Sequence, residues 1–446
     1  MKKHHIFLLV CILFFGCDNN LDIEPTNTLT PETLLDDPDN LDRLLLGAYA
    51  FADNHLAGEF QTVSELLANE GNLAYRGTFA QFFQFDRKEV IATNGFIRFL
   101  WANAYRSINL CNIVLNNLDL AEDPALRDRL EGEAKFMRGL LYFEMVRYFA
   151  LPYEAAGGNT QLGLPIVFDG VTDVSQLSYP SRKSVEEVYT QILSDLQDAY
   201  DLLPPENGFR ADAFAAQALL ARVYLQQGNY AAARDAADDV LQNSGHSLAP
   251  DLPSAFNNEV DGIEDILAWQ ITTQDGTNNF NTYWATIQFG GRSQTADITI
   301  EPPFFDLFTG LDDRASFFYS GNGTTVSSKW QGQFANAPFL RIAEMHLIRA
   351  ESNFREGTSV GLSPEVEINA LRARSNAAPI IGATLQDILE ERQRELAFEG
   401  HRFHDAKRLQ EVIDGIPYDA DQLVMPIPQD DIDTNPNLEQ NPGYNN

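Results

Sequence analysis

His401, His404 and Asp405 lie close enough in the chain to share one helix face. Two imidazoles three residues apart beside a carboxylate are a spacing that can hold zinc. The neighbours favour another role. Glu391, Arg392, Arg394, Glu395 and Arg402 supply both signs of charge at helical spacings, which predicts a charged helix end whose side chains pair locally. Asp36, Asp37, Asp39 and Asp42 offer the hard oxygens that calcium takes, but they equally suit the solvated first turn of a helix. Glycoside hydrolysis needs two carboxylates set across one bond, and among 64 acidic residues no pair stands out. There is no Gly-rich phosphate loop and no Gly-x-Ser-x-Gly elbow. The expectation is binding without catalysis, with no metal and no cofactor.

The binding chemistry expected is that of a sugar ring, which has an apolar C–H face and a rim of hydroxyls. A flat aromatic buries the face, and Asn, Asp, Gln or Arg satisfies the rim. Aromatics in a helical stripe are core, as Trp101 and Trp269 are expected to be, whereas aromatics in Gly/Asn-rich loops are candidates for contact. Two segments fit. The first is Asn69-Glu70-Gly71-Asn72-Leu73-Ala74-Tyr75-Arg76, extending to Phe79 and Phe82. The second is Asn278-Asn279-Phe280-Asn281-Thr282-Tyr283-Trp284, with Gln288 and Arg292 beyond. Trp330 lies in a third irregular stretch. Tyr75, Tyr283, Trp284 and Trp330 are predicted to stack on ligand, and Asn72, Arg76, Asn281 and Arg292 to hydrogen-bond it.

These segments need a scaffold. Apolar residues recur at helical spacing from Leu34 to Tyr49, after a cap-and-proline start at Thr30-Pro31, and again over residues 96–118, 124–149, 184–203, 211–226, 230–242, 341–355, 364–375 and 385–409. Residues 69–93 are expected to be a long, partly ordered loop. Residues 246–337 read as an irregular insertion with short strand-like runs such as 266–272. Leu220-Ala221, Tyr224, Gly228, Tyr230 and Ala233 fall at the spacings of a tetratricopeptide unit. One such pair cannot bury its apolar face alone, so about four helix pairs stacked in an arc are expected.

Lys2 and Lys3 precede an apolar run over residues 6–15, then Gly16-Cys17. That is an export signal too short to span a bilayer. Phe14-Phe15-Gly16-Cys17 resembles a bacterial lipobox, with Phe14 where Leu or Val is more usual, so Cys17 is the expected lipidation site. Cys11 would leave with the signal, and Cys111 alone cannot form an internal disulfide. The net charge of −33 excludes nucleic-acid binding through a basic patch and mildly favours neutral glycans over polyanionic ones.

Several motifs in order carry a family resemblance. Trp101-Ala-Asn-Ala-Tyr105-Arg-Ser-Ile108-Asn-Leu-Cys-Asn112, Glu133-Ala134-Lys135-Phe136-Met137-Arg138-Gly139 with Tyr142-Phe143, and Pro303-Phe304-Phe305-Asp306-Leu307-Phe308 before Asp312-Asp313-Arg314 each resemble RagB/SusD text. So do residues 341–351 and, most specifically, Glu391-Arg392-Gln393-Arg394-Glu395-Leu396-Ala397-Phe398-Glu399-Gly400-His401-Arg402-Phe403-His404-Asp405. His404 stands where many members have another aromatic. The resemblance implies a mostly α, SusD-like fold: tetratricopeptide-type helix pairs with an irregular, loop-rich binding portion. It implies a surface-exposed outer-membrane lipoprotein that captures oligosaccharide for a SusC-type TonB-dependent transporter. The expected organisation is signal peptide 1–16, tether 17–31 and one domain 32–446, divided at 245/246 and 337/338. Alternatives are a peptide-binding RagB-like subunit, a non-binding envelope scaffold and a surface glycosidase.

Overall fold

Helices form where the apolar period meets a capping side chain. A computed structural model describes residues 35, 37, 39–274 and 276–444. The signal, Cys17, the tether, the helix start at Thr30 and Asp36 lie outside the described residues. In chain order come α1 (Asp39–Leu56), α2 (Glu59–Leu67), β1 (Leu73–Tyr75), α3 (Ala80–Asp86), α4 (Gly95–Asn116), α5 (Pro124–Phe149), α6 (Val185–Leu202), α7 (Ala213–Gln227) and α8 (Tyr230–Asn243). They are followed by β2 (Asp265–Trp269), α9 (Asn279–Trp284), β3 (Ile298–Ile300), β4 (Phe318–Gly321), β5 (Thr324–Ser327) and β6 (Ala337–Arg341). The chain closes with α10 (Ile342–Glu356), α11 (Pro364–Arg374), α12 (Leu385–Glu395), α13 (Arg402–Arg408) and α14 (Gln429–Thr434).

Local chemistry explains the ends. Asp123 accepts from the Leu126 amide ahead of Pro124 at the first turn of α5, and Ser184 with Glu187 forms a reciprocal capping box on α6. Gly228 stops α7 in the left-handed conformation at φ 71°, which a glycine adopts without penalty. The helices then pack in succession: α1 on α4, α4 on α5, α5 on α6, α6 on α7, α7 on α8, and α8 on α10, which also carries α11 and α12. Ala221 and Ala233 are fully buried, and their small side chains let α7 and α8 approach as the tetratricopeptide spacing requires.

Two expectations are corrected. Residues 69–93 are not one long loop, because they contain β1 and α3. The short strands expected within 246–337 are present, together with α9: β3, β4 and β5 join β1 in one antiparallel sheet, and β2 pairs with β6 in a second. The run 385–409 is not continuous: it breaks between α12 and α13, where Phe398 (φ 66°) and Gly400 (φ 87°) are left-handed. A side chain on Gly400 would lie 2.6 Å from the Gln61 backbone, so only glycine lets the break sit against α2.

That break anchors a buried ionic core. The local pairing expected of this stretch is mostly replaced by long-range partners. Glu391 meets Arg314 at 2.6 Å and Arg372 at 2.9 Å. Glu395 meets Arg374, Arg341 and Arg314. Arg392 meets Asp405 at 2.8 Å and Glu344 at 3.3 Å. Burial pushes the Glu395 carboxyl up, but the three guanidiniums outweigh it and hold it well below the usual carboxylate range. Arg394 keeps helical partners, Glu390 at 2.7 Å and Glu391 at 3.4 Å. Asp42 takes no solvated role either, since Arg210 and Arg129 hold it at 2.6 and 2.7 Å.

Candidate functional site

Strand pairing brings the two nominated segments together. Tyr75 of β1 faces Ile298 of β3, and Leu73 faces Ile300. The Arg76 amide donates to the Asp297 carbonyl at 2.6 Å, and the Asp297 amide donates to the Tyr283 carbonyl at 3.0 Å. Helix α9 starts because the Asn278 side chain accepts from the Asn281 amide at 2.7 Å. It lies against Gly58, where a Cβ would fall 2.4 Å from the Phe280 nitrogen.

The structure does not offer the four nominated rings for stacking. Trp284 is fully buried, with Nε1 donating to Thr62 Oγ1 at 2.9 Å and its ring 5.2 Å from Phe398. Trp330 is buried face to face with Phe280 at 3.7 Å. Tyr75 is 6 % exposed, stacked 5.5 Å from Phe82, and its hydroxyl accepts from the Phe79 amide at 3.1 Å. Tyr283 is 4 % exposed beside Phe82, with its hydroxyl 3.4 Å from Glu59. Burial pushes the Tyr75 hydroxyl up to about 12 and Tyr283 higher still. The physical reason is shared: irregular backbone still has to be packed onto the helices, and the largest apolar surfaces do it. Asn281 is also internal, donating from Nδ2 to the carbonyls of Phe289 and Trp330, so it ties loops together. Asn72 faces elsewhere and lines a separate cleft.

Two nominated residues reach the surface. Arg76 has 43 % of its side chain exposed, with Nε on Thr299 Oγ1 and Nη2 on Glu301 Oε1, both at 2.8 Å. Arg292 donates from Nη2 to Thr78 Oγ1 at 2.9 Å, pairs through Nη1 with Asp297 at 3.0 Å, and lies 3.9 Å over the Phe79 ring. Phe79, three residues after Arg76, is 38 % exposed, backed by Phe82, Phe96 and Tyr283. The result is a partly exposed ring with the Arg292 guanidinium over it and the Thr78 hydroxyl bound to that guanidinium. Both cations are matched by carboxylates, so the locus is polar without being charged. Phe79 and Thr78 were not nominated. The available signal was their place after Gly77, where the chain turns back over the Tyr75 hydroxyl: a Cβ on Gly77 would come within 2.4 Å of it.

His401 and His404 face the protein interior. Burial lowers both, His401 to about 3, so neither carries charge near neutral pH. Cys111 is buried and its thiol is pushed up to about 12, which leaves it unreactive.

The fold defines a class of mostly helical proteins built on stacked helix pairs with a few short strands. A family model described as starch-binding associating with outer membrane matches residues 19–225, and the SusD family model matches residues 313–421. The SusD-like protein P2 of Formosa agariphila is 26 % identical over 100 % of both chains. The starch-binding protein SusD of Bacteroides thetaiotaomicron is 30 % identical over 31 % of this chain and 28 % of its own. A crystal structure of a SusD superfamily protein from Bacteroides thetaiotaomicron superposes with a TM-score of 0.82 at 25 % identity, covering 91 % of this chain and 99 % of that one. A SusD-like carbohydrate binding protein from Bacteroides vulgatus shares the fold, with a TM-score of 0.73 at 23 % identity over 84 % of each chain. The chain belongs to the SusD/RagB family of non-catalytic binding proteins, and the model matching its N-terminal half carries the starch-binding, outer-membrane description.

Proposed function

We propose that this chain captures neutral oligosaccharide at the cell surface and passes it to a SusC-type TonB-dependent transporter. The observation that carries the reading is the partly exposed Phe79 ring under Arg292, in the same chain segment as the exposed Arg76, on a SusD-type scaffold. A pyranose laid on the free part of that ring hides its C–H face, while Arg76 Nη1, which has no protein partner among the described residues, and the Thr78 hydroxyl meet its rim. Because Glu301 and Asp297 already neutralise the two cations, the locus gives a polyanion no net attraction, and a body of net charge −33 repels one.

Affinity at one shallow site is modest. A lipid on Cys17 and a docked transporter would raise the effective concentration and compensate. Among the described residues no helix is long and apolar enough to cross a membrane. Calorimetric titration of the purified chain against neutral glycans, charged glycans and peptides tests the reading. Saturable binding of a neutral glycan is expected, and binding of peptides alone would replace it with a RagB-like role. Cys17→Ala is expected to release the protein from membranes, and co-purification with the transporter to fail in its absence.

A further inference from the structure

A cleft of about 60 Å³ lies between residues 68–73, the turn at 304–307 and the break between α12 and α13. One water needs about 10–15 Å³ of such space, so the cleft takes several waters or one small ring. Its apolar wall is Phe304, Leu307, Leu396 and Phe398. Phe398 presents that wall from a left-handed backbone at φ 66°, a conformation a bulky residue seldom adopts.

The polar lining is unfinished. Arg392 is 4 % exposed, and its Nη1 is buried with no partner, although Nε and Nη2 reach Asp405 and Glu344. Asn72 and Gln393 line the same cleft, are half-buried, and make no side-chain hydrogen bond among the described residues. A buried guanidinium nitrogen without an acceptor is costly, and three convergent polar groups opposite an aromatic wall are the composition of a ligand pocket.

We propose that this cleft is a second binding site, separate from the Phe79 locus, for one uncharged polyhydroxyl ring of monosaccharide size. The charges select a neutral ligand. Arg392 is already matched by Asp405 and Glu344, and Arg402 by Glu411 at 2.5 Å and Glu70 at 3.6 Å. His401 is neutral, so no cation is left over for an anion. Burial pushes Glu65, also in the lining, up to about 7, so near neutral pH its carboxyl both donates and accepts. The ring's C–H face would lie on Phe304 and Phe398, with hydroxyls on Arg392 Nη1, Asn72 and Gln393.

The test is protein-observed NMR titration of the full chain with D-glucose, D-galactose and D-xylose at millimolar concentrations. Wild type, the Asn72→Ala/Gln393→Ala double variant and Phe79→Ala are compared. Neither amide holds the fold together, so the double variant should melt with wild type. Saturable shifts of resonances from the cleft lining, Phe304 and Phe398 among them, are expected with at least one sugar, and their midpoint should rise about tenfold or more in the double variant. No shift at the cleft with any of the three sugars, cleft shifts equally strong in the double variant, or shifts confined to the surroundings of Phe79 overturn the proposal. The capture reading is judged separately by polysaccharide affinity, which Phe79→Ala should weaken and the double variant should not.

Discussion

The break between α12 and α13 and the locus around β1 and α9 invert ordinary expectation. In the first, charged residues are buried; in the second, aromatic residues are mostly buried too, and two arginines stay near the surface. Around α12 each carboxylate has several guanidinium partners drawn from distant segments, which makes removal from water tolerable. Around α9 the aromatic rings are spent on holding a loop-rich region to its scaffold, and one ring, Phe79, is left for solvent. Residue type alone does not say which surface faces water. Available partners do.

The largest effect that sharpens this contrast is expected at Glu395. Glu395→Gln takes from Arg374, Arg341 and Arg314 the one carboxylate they share, leaving Glu264, Glu399, Asp312 and Glu391 to match them, and removing one partner from such a buried network should cost about 3–5 kcal/mol in urea unfolding. Trp284→Ala is expected to lose roughly 3–5 kcal/mol by leaving a cavity and stranding the Thr62 hydroxyl, with glycan affinity per folded molecule unchanged. A stable Trp284→Ala that no longer bound glycan would reverse the roles given to the two sets of rings.

A smaller effect follows from pH. Burial raises both Glu65 and Asp265 to about 7. A carboxyl whose folded value lies above its unfolded one contributes stability that is fully present below the unfolded value, near pH 4, and is lost as pH rises through 7. Unfolding free energy from these groups should therefore fall between pH 4 and 8, and Glu65→Gln should flatten part of that slope. A slope steeper in the variant would contradict the assignment. The smallest stability change is expected for Arg76→Ala, within about 0.5 kcal/mol because its pair with Glu301 is exposed, with glycan affinity reduced a few-fold.

The helical scaffold was legible because periodicity and caps are local. Residues 124–149 matched α5 end to end, and Gly228 marked its turn. The break at Phe398 was not legible, because the run 385–409 carries helical periodicity throughout and the stop is imposed by contact with α2. At the candidate site, the two segments were named separately and their meeting through Asp297 was not anticipated; Arg76 and Arg292 are the nominated residues that reach the surface. The rings were misassigned because aromatics in Gly/Asn-rich text serve packing and contact alike, and only the pairing of β1 with β3 decides between them.

The most direct test of the account is the affinity of wild type, Phe79→Ala and Trp330→Phe for a neutral polysaccharide, measured by affinity electrophoresis. Phe79→Ala is predicted to lose about tenfold, near 1.4 kcal/mol, while Trp330→Phe, which keeps the stack on Phe280, binds as wild type does. Full retention by Phe79→Ala with loss in Trp330→Phe would contradict it.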